Sequence, residues 1–310
     1  LGGMAESERH PRLGYAMAFT AATLWAVNGV VSKVIIESGG IAAQRLTEVR
    51  TTGAFLLLAA ALGVARPASL RLRRGELAML LIFGVLGLAF VQWFYFEAIS
   101  RLDIGIALLI QYIAPVLVAL WARLAYHEAV RRRIWAALAL SILGIALLVE
   151  LWNGLTLDGL GVAAALGSAV TFAVYILSAE RAVARRDPVS LVCYGFLLAS
   201  IFWAVLQPWT SFPVELVDES VSLLGRLDDL SLPVWLLLGW MVVLGTIVPF
   251  ALLAASLRHI PASRAAITAM FEPVAATVFA YAWLGESLTA FQLVGALVVL
   301  AAIVLAQTAR

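Results

Sequence analysis

The sequence predicts an all-α integral membrane protein: ten transmembrane helices forming two inverted five-helix repeats, with both termini cytoplasmic. Three observations carry that prediction. The chain is 63% apolar and 13% charged, with a mean hydropathy of +1.00, which excludes an ordinary water-soluble globular domain. Ten apolar runs fill it, each near the roughly 17–25 residues that a helix needs to cross about 30 Å of hydrocarbon. The later runs also repeat the earlier ones. Leu13–Val27 reads LGYAMAFTAATLWAV and Leu160–Val174 reads LGVAAALGSAVTFAV, so Leu13 falls on Leu160.

Taken in order, the runs lie near Leu13–Ile36, Leu46–Val64, Glu76–Ile99, Ile104–Leu124 and Ile134–Val149, then Gly159–Leu177, Val189–Gln207, Pro233–Leu257, Ile260–Leu284 and Leu288–Gln307. They are continuous, whereas the strands of a membrane barrel would show short alternating segments. The fifth is short, but Arg133 and Trp152 flank it and anchor it at the two interfaces. The longest connection, Pro208–Leu232, is acidic and is expected to carry a short surface helix around Leu216–Leu227. Residues 1–12 read as an expression remnant (Leu1–Gly3, ahead of Met4) followed by a cytoplasmic tail. Residues 13–152 form the first repeat and 153–310 the second. Cys193 is the single cysteine, so an internal disulfide and a cysteine-based metal site are ruled out.

Charge orients the spans. With the N-terminus inside, only Lys33, Arg45, Arg50, Arg101 and Arg226 of the 21 basic residues fall toward the outside. The outer loops are acidic instead, with Glu150, Asp158, Glu215, Asp218, Glu219, Asp228 and Asp229. Cationic inner loops place both termini in the cytoplasm, and an even number of spans satisfies that. The run Arg131–Arg133 is read as a membrane-edge cluster, not a nucleic-acid patch. A second alignment lays Ala107–Glu128 on Ala265–Glu286, pairing Pro115 with Pro273 and Glu128 with Glu286. Glu128 falls at the inner end of the fourth span and Glu286 at the outer end of the ninth. Matching segments on opposite faces are what inversion means, and inverted repeats let one scaffold open alternately to either side.

Polar groups in hydrocarbon are costly, about 2.5–3.5 kcal/mol for a central charge on the insertion scale. Glu272 sits near the middle of the ninth span, directly before Pro273. Two readings stay open for it: a structural carboxylate bonded to a neighbouring helix, with Thr268 one turn earlier able to satisfy it, or a cavity group that meets a substrate ammonium or exchanges a proton. Pro115 and Pro273 remove backbone donors at matching depths and are candidate kink or gating points. Pro249 faces Val91 in the other half, so a bend there is expected in one half only.

The first span offers Trp25, Asn28 and Ser32 at helical spacing, and the sixth offers Thr171, Tyr175 and Ser178 at the same spacing. Gln92, Tyr95, Gln111 and Tyr112 add hydrogen-bonding groups at intermediate depth. Singly, each is most simply glue between helices; together they point to a polar path between the repeats. Lys33, Arg45 and Arg50 are expected near the outer boundary, snorkelling or pairing with Glu37 and Glu48. Trp209 and Trp235 read as interfacial aromatics.

These segments resemble the drug/metabolite transporter superfamily, in its ten-span EamA-type branch. The resemblance runs from Leu13 to Gln307. It is carried by LWAVNGVVSK (Leu24–Lys33), Val49–Arg50, YFEAISRLDIGIA through Pro115 (from Tyr95), and FEPVAATVFAYAWLGESLTAFQLVGALVV (Phe271–Val299). The Glu-Pro pair of the second half is reduced to Ala114–Pro115 in the first. Within the branch, the chain is most similar to bacterial inner-membrane exporters of aromatic and other neutral amino acids (the YddG type). The resemblance implies a central substrate cavity between the halves, with the fifth and tenth spans more peripheral.

On this reading the chain is a carrier exporting amino acids or related small metabolites. Trp25, Phe172, Tyr175 and Phe271 are the candidates for an apolar pocket, and Asn28, Gln92 and Gln111 for the polar end of the substrate. A phosphorylated-sugar or nucleotide-sugar carrier would want a deep cation, and the sequence places no Lys or Arg clearly at the midplane. A cationic multidrug carrier is compatible with Glu272 and the aromatics. An enzyme is disfavoured, because His10, His127 and His259 lie in cytoplasmic flanks without metal-ligand or nucleophile–base spacing. No cofactor is expected, and with no nucleotide-binding loop the energy would come from gradients. The expected partners are a small-molecule substrate and the lipid bilayer.

Overall fold

The computed structural model describes residues 10–73, 75–102, 104–125, 127, 130–152, 158–285 and 289–308. Glu128 and Glu286, and with them Leu1–Gly3, Arg9, Arg74 and Arg310, lie outside the described residues. Among the described residues, nine helices are long and apolar enough to cross a membrane. They are α1 (Pro11–Glu37), α2 (Ala43–Ala65), α3 (Leu77–Ile99), α4 (Ala107–Ala125), α6 (Gly159–Val183), α7 (Pro188–Leu206), α8 (Val234–Ser256), α9 (Ala262–Leu284) and α10 (Ala290–Gln307). The shorter α5 spans Arg132–Leu148, 17 residues.

Several ends are set by local chemistry. Asp158 caps α6 by accepting the Gly161 N–H at 2.7 Å, and Asp187 caps α7, where Pro188 opens the helix without needing a donor. Thr289 and Gln292 form a reciprocal capping box at the start of α10. Gly285, at φ 74°, ends α9 in the left-handed region.

The helices pack in pairs that exchange between the two halves of the chain. Helix α1 lies against α8 and α9, while α6 lies against α3 and α4; α2 packs on α7, and α5 on α10. Hydrocarbon lipid offers no hydrophobic incentive for such contacts, so close van der Waals fit must supply it. Small residues allow that fit. Gly144 of α5 and Gly295 of α10 face each other so closely that a Cβ on Gly295 would sit 2.6 Å from the Gly144 carbonyl oxygen. Nearer the centre, a Cβ on Gly87 of α3 would lie 3.0 Å from Tyr175 Cα of α6, and one on Gly245 of α8 would collide with the Asn28 side chain of α1. The alignment that pairs Val91 with Pro249 places Gly87 opposite Gly245. The one that pairs Leu13 with Leu160 places Asn28 opposite Tyr175. The two contacts are therefore copies of each other.

Both glycines sit in π-helical turns, Ile82–Ala89 in α3 and Val243–Ile247 in α8. This corrects the expectation that a distortion near Pro249 would belong to one half. The wide turn recurs in α3, where Val91 replaces the proline, so proline is not its cause. In α4 and α9 the distortion does sit beside proline. Helix α4 breaks at Tyr112–Ile113, just ahead of Pro115, with Ile113 N–H bonded three residues back to Ile110. Helix α9 breaks at Met270, just ahead of Pro273, with Met270 N–H bonded back to Ile267. Each tightened turn precedes a residue that cannot donate to the ladder.

The long connection is a hairpin rather than the expected helix. Strands β1 (Ser220–Ser222) and β2 (Ser231–Pro233) pair antiparallel, Val221 opposite Leu232, around 3₁₀ turns. Val221 and Leu223 bury against α1 and α8, and Trp283 of α9 donates its indole N–H to the Leu223 carbonyl at 2.8 Å. Alternating burial on a short tight loop thus outweighs the helical spacing of its leucines. At another point, Arg186 before α7 reaches Glu76 before α3 at 2.6 Å and also donates to Ser190 and to the Ser69 carbonyl. Its guanidinium lies 4.6 Å from the centroid of the Tyr194 ring.

Candidate functional site

A cavity of about 250 Å³ lies where α1, α2, α3, α4, α6, α8 and α9 converge. That is slightly below the roughly 300–1,000 Å³ of sites for drug-sized ligands, and it suits one small metabolite. A larger crevice, about 370 Å³, lies among Trp235, Trp240 and Trp283, but its wall is almost wholly apolar and offers nothing to orient a charged molecule.

The structure brings most of the sequence-predicted site residues to the central cavity. Trp25, Asn28 and Ser32 line it from α1, Gln92 and Tyr95 from α3, and Gln111 and Tyr112 from α4; Phe172 and Tyr175 come from α6 and Glu272 from α9. Phe271 is not among them. Its ring packs edge-on against Phe19, with centroids 5.2 Å apart, because a residue next to Glu272 on a helix points about 100° away. Of the proline candidates, none is in the wall: Pro115 and Pro273 follow the breaks in α4 and α9, and Pro249 immediately precedes the cavity residue Phe250.

The apolar part of the wall is an aromatic cluster. Phe250 meets Trp25 edge-on at 5.0 Å and Tyr175 edge-on at 5.7 Å; Phe172 stacks on Tyr175 at 6.1 Å, and Phe83 supports Tyr175 from behind at 5.3 Å. Phe250 was not legible as a site residue, since nothing in its surrounding run PFALLAA distinguishes it from lipid-facing residues.

The polar part centres on Glu272 and Arg50. Tyr112 donates its hydroxyl to Glu272 Oε2 at 2.9 Å. Thr268, one turn earlier and able by spacing to satisfy this carboxylate, instead donates to the Arg264 carbonyl in its own helix. Arg50 corrects a larger expectation. Expected near the outer boundary, it lies seven residues into helix α2, which starts at Ala43, roughly 10 Å along the axis at 1.5 Å per residue. There it lines the cavity, with its Nε donating to Thr246 Oγ1 at 3.1 Å. Thr246 in turn donates to the Met241 carbonyl across the π turn of α8. The boundary pairing falls to its neighbour Arg45, which meets Glu48 at 2.6 Å. Arg50 and Glu272 lie within each other's electrostatic field.

Four buried polar atoms of wall residues lack a hydrogen-bond partner among the described residues: Trp25 Nε1, Asn28 Oδ1, Gln92 Oε1 and the Tyr175 hydroxyl. Buried polar groups left unpaired are expensive, and these four fall on residues grouped around one cavity. By contrast, Thr171 and Ser178 bond to their own helix backbone and act locally. Among the described residues there is no cluster of three or more His, Cys, Asp or Glu suited to a metal ion.

A profile of the EamA-like transporter family matches residues 12–150 and again 159–308. The threonine/homoserine exporter RhtA of Salmonella typhimurium is 29% identical over 273 residues, covering 86% of this chain and 81% of its own. The RhtA of Escherichia coli is 26% identical over 277 residues with the same coverage. YicL of Salmonella typhimurium, an uncharacterized inner membrane transporter, is 26% identical over 302 residues, 95% of each chain. A solved crystal structure at 18% identity superposes with a TM-score of 0.75 over 94% of this chain and 96% of that one, which shows a shared fold.

Proposed function

This chain belongs to the EamA-like transporter family, and from that premise we propose that it is a secondary carrier exporting amino acids, aromatic and other neutral ones, across the bacterial inner membrane. Transport runs by alternating access between two inverted five-span repeats, residues 13–152 and 153–310, with both termini in the cytoplasm. The observation that carries this reading is the central cavity, which combines an aromatic wall with one cation and one carboxylate. Its walls come from both halves of the chain, so a rocking of one half against the other would expose it to one side and then the other. The breaks beside Pro115 and Pro273 and the wide turn before Pro249 are the points where such bending would concentrate. The naming of two similar proteins as threonine/homoserine exporters supports an amino-acid cargo.

A second reading draws support from Arg50. An anionic-substrate carrier needs a deep cation, and Arg50 in the cavity wall supplies one. Glu272 in the same wall weighs against a phosphate ester, which would bring two negative charges beside a carboxylate. Flux of labelled amino acids into proteoliposomes, with and without a pH gradient, tests the proposal. Saturable flux of a neutral amino acid is expected; its absence across a panel of neutral and aromatic amino acids would rule the reading out.

A further inference from the structure

We propose that Arg50, held in place by Thr246, takes the carboxylate of the transported molecule, while Glu272 with Tyr112 takes its ammonium. The cavity then selects the free α-amino acid zwitterion over the corresponding amine or ester. This assignment rests on the transport reading above and deepens it.

The argument starts from the guanidinium. Arg50 is partly accessible, and what it borders is the cavity. Among the described residues, its hydrogen bond is the one from Nε to Thr246 Oγ1. A guanidinium presents five donors in a fixed fork, so the edge carrying the two Nη atoms is left to meet a guest. A carboxylate matches that edge with two parallel bonds, the geometry in which arginine discriminates best.

Thr246 fixes the direction of the fork. Its hydroxyl has one proton, which it gives to the Met241 carbonyl at 2.9 Å, leaving its oxygen to accept from Arg50. The orientation therefore passes from the π turn of α8 through Thr246 to Arg50. This gives the π turn a chemical use besides the close approach at Gly245. Thr246 is a positioning residue: it acts on cargo only through Arg50.

The carboxylate of Glu272 supplies the opposite charge in the same wall, and Tyr112 occupies one of its oxygens. One cation and one anion leave the site near neutrality, which disfavours a permanently cationic drug at Arg50 and a phosphate dianion at Glu272. A zwitterion presents both charges at once. Its side chain then falls to the aromatic cluster around Phe250.

The test uses purified full-length protein in proteoliposomes, with labelled threonine and labelled phenylalanine as probes. On the unmodified protein, unlabelled phenylalanine should compete for phenylalanine flux at least tenfold more effectively than phenethylamine or phenylalanine methyl ester. Arg50→Gln should raise KM at least tenfold and erase that preference. Thr246→Val should raise KM several-fold with kcat little changed, and Thr246→Ser should restore it, because serine keeps the hydroxyl. The competition arm needs no variant, so a misfolded Arg50→Gln cannot rescue the idea. No flux of either amino acid in the unmodified protein overturns the transport reading and this assignment with it. Normal flux with equal competition by the amine or ester, or with unaltered KM in folded Arg50→Gln, overturns the assignment alone.

Discussion

The hydroxyl of Tyr112 donates to Glu272 Oε2 across 2.9 Å, and in doing so bolts helix α4 to helix α9 through the wall of the cavity. Leaving a buried acceptor unmet costs about 1–3 kcal/mol. Tyr112→Phe should therefore lower unfolding stability in detergent by about 1–3 kcal/mol and reduce flux. Glu272→Leu, measured alone and with Tyr112→Phe, closes a double-mutant cycle, because leucine keeps no acceptor for the phenol. A coupling energy indistinguishable from zero would show that the bond carries no weight.

The paired close approaches at Gly87 and Gly245 predict different failures. At Gly87 an added methyl meets the backbone of α6, with Tyr175 Cα 3.0 Å away, and a helix cannot step aside cheaply. Gly87→Ala should cost about 1–3 kcal/mol of stability, the range for overpacking. At Gly245 the obstacle is the Asn28 carboxamide, which can swing. Gly245→Ala should then raise KM, with a smaller loss of stability. Thermal unfolding and flux kinetics on both variants would show whether the two effects separate in this way.

The clasp between Arg186 and Glu76 predicts a large loss and its partial recovery. Both side chains are nearly buried, at 5% and 10% exposure. Removing one member of such a pair costs about 3–5 kcal/mol, largely because the other charge stays behind. Arg186→Leu would leave Glu76 Oε2 with the Arg73 N–H, at 3.3 Å, as its remaining donor. Stability should fall by that amount and recover in large part when Glu76→Leu is added. If the double variant is no better than the single one, the pair is not the source of the loss.

His259, in the turn between α8 and α9, predicts a modest acid sensitivity. Burial, with His10 and Arg258 nearby, pushes its imidazole below the usual value of 6.5. Its Nδ1 accepts the His10 N–H at 3.4 Å, which needs an unprotonated nitrogen there. The unfolded chain then takes up the proton first, so this contribution is complete above about pH 6.5 and is lost as pH falls toward the lower folded value. His259→Gln should flatten the dependence of the melting temperature on pH between 7.5 and 5. An unaltered slope would place the acid sensitivity elsewhere.

Much of this architecture was readable because the membrane simplifies it. A span must be long and apolar, and a polar residue inside it must have a reason. The stripe of Trp25, Asn28 and Ser32 announced its face by spacing alone, and Glu272 announced its cavity by its cost. Other features depended on information that spacing does not hold. The place of Arg50 is one of these: α2 begins at Ala43, ahead of its apolar run, so Arg50 lies two turns into the helix and reaches the cavity. Phe271 has the aromaticity of a pocket residue, but helical geometry turns it toward Phe19 once Glu272 faces the cavity. The π turns at Ile82–Ala89 and Val243–Ile247 leave no compositional mark, although each holds a glycine, Gly87 or Gly245, against which another helix presses close. The hairpin at Ser220–Pro233 hid behind leucines whose order suits either a short helix or a tight pair of strands.

The cavity has no single owner along the chain. Arg50 takes its orientation from Thr246, and Tyr112 finds its partner in Glu272; in each pair one residue precedes Gly159 and the other follows it. A fragment ending before Gly159 would keep the guanidinium and the phenol but neither of the groups that aim them. Division of labour of this kind ties the fates of the two halves together. A substitution tolerated in one is judged by its opposite number in the other, and an ancestor of half this length would have needed a second copy of itself to build the same wall.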